Sequence, residues 1–438
     1  MTTADAPRSS VSDAATFAGF TAREGLLFAG LLALFALVFL TQGSTYALRM
    51  TVEAVCYAVI ALGLSIQWGG AGLFNVGIMG FIAAGAFGSL LVSFPVNERF
   101  WDGSGPGLLG LVLLYSLLAV AAVWAAVRSR ALLGKRLSQF LVVLALAIGL
   151  FVVSGAMDVA ARTIESEAGF MGGLGLPVVL GWAFAGLVAG LIAWVVGKIC
   201  LGLRADYLAI ATLGIAQIIK TFLKNADWLT NGTLTVSPLD WPVPDPRAVG
   251  FDEARAYYLV VSAIAVVITF LLLQRALQSP WGRMMRAIRD NEDAAASMGK
   301  DVNGRRLEIF ILGCVLMGIG GAVLIHFNTI FDPSGFLDLN HTFLIWVMVI
   351  LGGAGNNRGA IFGALFVYVL WTMAEPLTLV LFEWIERFGR DAFGWNAPAD
   401  FASRALAMRV FVIGLTITLV LRYAPRGVMP ERFAADRD

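Results

Sequence analysis

The chain has 438 residues, 59% of them hydrophobic and only 14% charged, with a mean hydropathy of +0.81. A water-soluble domain could not keep so much apolar surface from solvent, so the composition points to an all-α, polytopic helical membrane protein. Long uninterrupted apolar runs exclude a membrane β-barrel, whose strands alternate, and a net charge of +1 gives no footprint for nucleic acid.

Residues 1–24 are polar and hold no apolar stretch of their own, so the run 25–40 is expected to remain as a first span behind a cytoplasmic tail rather than be cleaved. A second span, 53–68, runs into Gly69-Gly70-Ala71-Gly72, and a third, 74–93, follows. Glycines at membrane depth let backbones approach closely or let a helix unwind beside a cavity. Gly69, Gly70 and Gly72 are therefore candidate structural glycines. Spans 108–127 and 137–156 form a hairpin joined by RSRALLGKR, with four basic residues and no acid.

Spans 177–200 and 207–222 precede a polar loop, 224–256, rich in Pro and Asp. Two more, 257–277 and 307–327, flank a polar island at 279–306. A short run, 343–351, leads to the loop GGAGNNRGA with Gly352, Gly353 and Gly355. Spans 361–381 and 405–421 and a basic tail, 422–438, complete the transmembrane domain 25–421. A helix needs about 20 apolar residues to cross a bilayer, so the pattern gives 10–12 transmembrane helices, some broken or half-spans. Basic loops mark the cytoplasmic side. The segment 128–136, the island and the tail fall inside; 158–167, 224–256, 331–340 and 383–400 fall outside, leaving both termini cytoplasmic. The two Gly-Gly-Ala-Gly stretches are an internal echo, but 48 glycines produce such matches by chance.

The island reads SPWGRMMRAIRDNEDAAASMGKDVNGRR. Pro280 suits a helix start, where its missing N–H costs nothing. Met285, Ile288 and Ala295 fall near one face, while Arg283, Arg286, Arg289 and Asp290 fall largely on others. Gly299 is placed to end that helix. The pattern is a short helix pair presenting an apolar strip with a charged rim. It is either a solvated loop whose bases set topology, or a docking element for a soluble partner in the helix-in-groove mode.

No catalytic constellation is present. His326 and His341 lie at span ends without a ligand spacing, Cys56, Cys200 and Cys314 read as packing thiols, and no metal site is expected. No P-loop occurs, so ATP would be hydrolysed elsewhere and no cofactor is expected on this chain. Asp206 opens a helix as a cap or a functional acid. Gln67, Asn75, Thr212 and Gln217 are candidate pathway residues, with helix–helix hydrogen bonding as the equal alternative. Glu375 is the lone acid of its span. It lies before Pro376, which suggests a kink, and it is expected to snorkel.

GRMMRAIRDNEDAAASMG resembles the cytoplasmic coupling loop of permeases in the branched-chain amino-acid ABC transporter family. The likeness falls at Gly282, Arg283, Ala287, Ile288, Arg289, Glu292, Ala294, Ala295 and Gly299, with Arg286 and Met298 between them. GLRADYLAIATLG resembles a second family motif through Asp206, Tyr207 and Thr212. GGAGLFNVGIMGFIAAGAF, VMVILGGAGNNRGAIFGAL and the tail from Arg422 to Pro430 resemble three more. The likeness is to the LivM-type branch and covers most of 53–94 and 177–430. Residues 95–173 lack a counterpart in it, and the family's outer-loop T-G-G-x-x-G is TNGTLTV here.

The resemblance implies a bacterial inner-membrane permease subunit of a binding-protein-dependent importer for leucine, isoleucine and valine. Its partners would be a LivH-type second permease, two ATP-binding cassette subunits docked on the island, a periplasmic substrate-binding protein and the surrounding membrane lipid. A permease for urea, short amides or other polar solutes is the alternative, and a gradient-driven transporter a more distant one. No function follows from the residues of the added hairpin, which covers the periphery or binds a lipid or partner.

Overall fold

Lipid offers the backbone no hydrogen bonds, so each apolar run must satisfy its own amides by coiling into a helix. The computed structural model describes residues 22–130, 134–395, 398 and 401–431. The expected N-terminal tail up to residue 21, three residues of the basic 128–136 segment, part of 383–400 and the tail beyond 431 lie outside the described residues.

In chain order the helices are α1 (Ala22–Gln42), α2 (Ser44–Ser65), α3 (Ile78–Ser93), α4 (Gly105–Arg128), α5 (Lys135–Ala168), α6 (Val178–Cys200) and α7 (Ala205–Asn225). They continue with α8 (Phe251–Gln278), α9 (Pro280–Asp290), α10 (Glu292–Ser297), α11 (Val302–Asn328), α12 (Leu344–Gly352), α13 (Asn357–Phe393) and α14 (Phe401–Tyr423). Among the described residues nine helices are long and apolar enough to cross a membrane, and two shorter apolar ones, Ile78–Ser93 and Leu339–Gly352, add to them. The protein is a polytopic all-α membrane protein.

Several helices outrun the apolar stretches. Residues 158–167, expected as an outer loop, are the last turns of α5, and 383–393 belong to α13, which continues through Pro376. The charges that suggested a loop at 383–390 sit four apart, so a helix pairs them: Arg387 with Glu383 at 3.8 Å and Arg390 with Glu386 at 2.5 Å.

The described residues divide into two compact units, one running to Ala61 with Pro246–Phe270 and the part from Leu344 onward, the other Leu62–Asp245 and Leu271–Phe343. In the second unit α3, α6 and α11 pack through small residues. A Cβ on Gly318 would come within 2.5 Å of the Ala189 Cβ and 3.0 Å of the Ala185 carbonyl oxygen, and one on Gly321 within 2.5 Å of the Ile82 carbonyl oxygen. Lipid tails are as apolar as leucine, so helices in a membrane gain by close van der Waals approach, which small residues permit. Phe81 and Phe310 lock the same contact edge to face, centroids 5.7 Å apart.

In the first unit the motif-like tail is bolted to the second glycine loop. Val428 N–H donates to the Leu351 carbonyl at 2.7 Å, Met429 N–H to Gly352 at 3.0 Å, and Asn356 Nδ2 to the Met429 carbonyl at 3.1 Å. Gly353, at φ +109°, and Gly427, at φ +81°, face each other there with no room for side chains.

Gly318→Leu should overpack the α3–α6–α11 contact and cost about 1–3 kcal/mol. A lowered unfolding midpoint of the detergent-solubilised protein is the expected result, while a Gly214→Ala control with open space at its Cβ position should not be lowered.

Candidate functional site

The second unit contains a stretch where the helical backbone gives way. α2 ends at Ser65, a π turn covers Ile66–Gly70, and residues 72–77 have no regular structure before α3 begins. Gly72 sits at φ +68°, a left-handed conformation suited to glycine. Several amides near the break find partners outside the regular helix pattern. Leu73 N–H donates to the Gln67 carbonyl at 3.0 Å. Val76 N–H donates to Thr212 Oγ1 at 3.1 Å, Gly77 N–H to Asn75 Oδ1 at 2.9 Å, and Met79 N–H to Thr342 Oγ1 at 3.2 Å.

The side chains that supply these acceptors are themselves tied. Asn75 Nδ2 donates to Gln67 Oε1 at 3.0 Å, and Gln67 Nε2 donates to the Phe310 carbonyl at 2.7 Å and lies 3.3 Å from Cys314 Sγ. Gln67 and Asn75 are 0% exposed and Thr212 1%. Of the two readings open for Gln67, Asn75 and Thr212, their burial and these bonds support helix–helix hydrogen bonding over a pathway role. A buried amide that already spends its donors and acceptors on neighbouring helices holds structure.

The break leaves the Gly69 carbonyl facing α9, and there it accepts a hydrogen bond from the Arg289 guanidinium. Arg289 is steadied by Asp290, Nε to Oδ1 3.1 Å. A Cβ on Gly70 would come within 3.1 Å of Ile309, so the glycine pair also lets α11 approach. One arginine of the island thus touches the point where the membrane helix unwinds.

The island is a folded helix pair. Pro280 opens α9, Asn291 caps α10 by accepting from Ala294 N–H at 2.9 Å, and Asp301 caps α11 by accepting from Gly304 N–H at 3.0 Å. Gly299, at φ +74°, follows the end of α10. Arg306 pairs with Glu292 at 3.0 Å, Arg305 with Glu308 at 2.8 Å, and Trp281 Nε1 donates to Glu308 at 3.1 Å. Arg283 and Arg286 reach back to the carbonyls of Gln278 and Leu277, at 3.4 and 3.3 Å. A Cβ on Gly282 would strike the Leu277 backbone.

The apolar strip is not presented outward as expected. Met285 is 0% exposed, and Ile288, Ala295 and Val302 form one cluster with Met284 against it. Burial wins because α9 and α10 are both short and together can shield only one apolar face. The exposed face is instead Arg283, Ala287, Glu292, Ala294 and Met298, the last 79% exposed.

The remaining candidates are dispersed. Asp206 and Tyr207 are exposed in the first turn of α7, where no side-chain cap forms, so the capping reading of Asp206 does not hold. Its charge still suits the positive end of the helix. Gln217 donates to Asp338 at 2.6 Å and borders a groove of 550 Å³ with Thr221, Asn225 and Trp228. Gly355, at φ +83°, and Gly353 shape the loop in the first unit. That loop repeats one detail of the first, since Asn356 accepts from Arg358 N–H at 3.0 Å as Asn75 does from Gly77.

Two intramembrane acids of the first unit have partners that the sequence did not reveal. Glu375 does not snorkel alone; it pairs with Arg409, whose guanidinium lies 4.8 Å from the Trp371 ring centroid. Glu53 accepts from the Tyr368 hydroxyl and lies 3.3 Å from Arg49 Nε. The signal available in the sequence was a single charge inside an apolar run, at Glu53 and at Arg409.

Thr212→Val should leave the partly buried Val76 N–H without its acceptor, at a cost of about 1 kcal/mol. Thr212→Ser, which keeps the hydroxyl, should restore most of the unfolding midpoint measured in detergent.

Residues 133–421 match the family described as "branched-chain amino acid transport system / permease component". The match takes in α5, so the second helix of the hairpin is not outside the family pattern as the motifs suggested. The probable branched-chain amino acid transport permease protein LivM of Methanocaldococcus jannaschii is 26% identical over 252 residues, 56% of this chain and 67% of that one. The high-affinity branched-chain amino acid transport system permease protein LivM of Escherichia coli is 26% identical over 209 residues, 42% of this chain and 48% of its own. The match therefore spans about half the length of the latter. The autoinducer 2 import system permease protein LsrC of an Enterobacter species is 27% identical over 312 residues, 68% of this chain and 82% of that one. No solved structure matches. With two thirds of its length inside the family and its spans, glycine loops and island folded as described, the chain belongs to the branched-chain amino acid transport system permease family.

Proposed function

We propose that this protein is the membrane permease subunit of an ATP-driven, binding-protein-dependent importer for branched-chain amino acids, with no ATPase site of its own. The observation that carries the reading is the Arg289–Gly69 hydrogen bond, which ties the family-like island to the broken helix. A cassette ATPase that moved α9 would pull directly on the Gly69–Gly72 segment. In this reading the partner docks on the exposed face around Arg283, Ala287, Ala294 and Met298 and leaves the buried Met285–Ile288 strip intact. The island and both termini face the cytoplasm, a LivH-type permease completes the pathway, and a periplasmic binding protein meets the outer loops.

A second reading keeps this mechanism and changes the cargo. It is favoured by the likeness to LsrC, which covers more of both chains than the LivM matches do. Under it the solute is a small, polar, non-amino-acid molecule.

The test is uptake of labelled leucine by proteoliposomes holding the co-purified complex, with ATP on one face and binding protein on the other. Leucine uptake that needs ATP supports the first reading; binding-protein-stimulated hydrolysis without leucine movement supports the second. Arg289→Ala should lower uptake about tenfold or more while ATP hydrolysis persists, because one partly buried charge-assisted hydrogen bond is lost. Cysteines placed at Ala294 or Met298 should cross-link to the ATPase, whereas one at Met285 should not. Cross-linking in neither position of an assembled complex would remove the docking reading.

A further inference from the structure

The hairpin of α4 and α5 takes no part in the site described above. Both helices are apolar, and 0% and 6% of their most apolar stretches are buried inside the molecule. Between them runs a groove of 610 Å³, bordered by Tyr115, Ala119 and Ala122 on α4, by Ser129 just past its end, and by Ile148 and Gly149 on α5. Alanines on one wall keep it open, and Gly149 lets the helices close beneath it, since a Cβ there would come within 2.8 Å of the Ala119 Cβ. From Tyr115 to Ser129 the groove follows α4 for about 21 Å at the rise of a helix. That is longer than half of the roughly 30 Å hydrocarbon core. A long, narrow, apolar channel of this kind suits an extended acyl chain.

One end of the groove is strongly basic. Ser138 Oγ donates to the Ala126 carbonyl at 2.8 Å and joins the two helices there. Around that junction stand Arg128, Arg130, Lys135 and Arg136, all exposed. No ion pair engages any of the four among the described residues. No Asp or Glu occurs between Asp102 and Asp158, so the hairpin supplies no neutralising charge of its own. The Arg128 guanidinium lies 5.5 Å from the Trp124 ring centroid, an arrangement fitted to the headgroup level where Trp and Arg anchor.

We propose that this hairpin binds an anionic phospholipid, with an acyl chain in the groove and the phosphate against Arg128, Arg130, Lys135 and Arg136. The charge argues for the lipid over a second copy of the chain. Two copies in one membrane share the same orientation, so pairing through this groove would bring their basic ends to the same level and set four positive charges against four. An anionic headgroup supplies the missing negative charge, and attraction of juxtamembrane Lys and Arg to anionic lipid adds with each residue.

The experiment uses the full-length protein in its complex, purified in detergent and loaded with phosphatidylglycerol or phosphatidylcholine of identical chains, with retained lipid counted by native mass spectrometry. Phosphatidylglycerol should be retained on the order of tenfold over phosphatidylcholine. Combined Arg128→Gln, Arg130→Gln, Lys135→Gln and Arg136→Gln should bring the ratio within about twofold. Ala122→Phe with Ala125→Phe, filling the groove at exposed positions, should release both lipids while the basic end stays intact. Equal retention of the two lipids by the unaltered protein would overturn the proposal. So would a preference that survives the charge substitutions, or a Phe variant that sheds a co-purifying membrane protein in place of lipid.

Discussion

A broken helix in lipid is tolerable only if every released amide is satisfied, and the rest of this structure is arranged around that demand. Residues 72–77 free a run of backbone groups, and Leu73, Asn75 and Gly77 among them are buried. Leaving one such group unpaired costs several kcal/mol in hydrocarbon. Asn75, Gln67, Thr212 and Thr342 come from four places in the sequence to meet the debt. Their positions require α7 and the π turn at 339–343 to lie against α3, and the Phe310 carbonyl brings in α11. The close packing of α3, α6 and α11 through glycine and alanine holds those donors and acceptors in register.

The same break makes a carbonyl available to the island. A continuous helix would have consumed the Gly69 oxygen internally; here it accepts from Arg289. The island's apolar strip is sunk against Val302 at the head of α11, so α9 is packed onto a membrane helix and is not a loose flap. Its charges are largely spent within the chain, on Asp290, Glu292 and Glu308. Surface pairs of this kind contribute little stability. Their effect is to fix side-chain directions, leaving Ala287, Ala294 and Met298 outward beside the exposed Arg283 and Glu292.

The first unit solves a related problem with different parts. Its Gly-Gly-Ala-Gly loop is closed by the chain's own tail, through backbone hydrogen bonds from Val428 and Met429. Two stretches that resemble separate family motifs in the sequence are thus two halves of one junction. The intramembrane acids Glu53 and Glu375 are both partnered there, by Tyr368 with Arg49 and by Arg409. Pairing relieves the cost of a charge in a low-dielectric setting.

The amino-acid sequence by itself determined the class, the run of apolar helices, the glycine breaks and the helical nature of the island. These follow from local rules: twenty apolar residues span a bilayer, Pro280 starts a helix, and Gly72 and Gly353 take left-handed backbone. It also singled out Arg289 and the hairpin's acid-free basic stretch. Side-chain direction was not legible. Whether Gln67 and Asn75 face a pathway or each other, and whether Ile288 points outward or inward, depends on what residues more than two hundred positions away in the chain, or on the next helix, place opposite them. Helix ends were misjudged for a similar reason, since Glu383 and Arg387 read as loop until helical spacing pairs them. Only the tertiary structure could decide these points, because a hydrogen bond or a buried contact belongs to two segments and neither carries it alone.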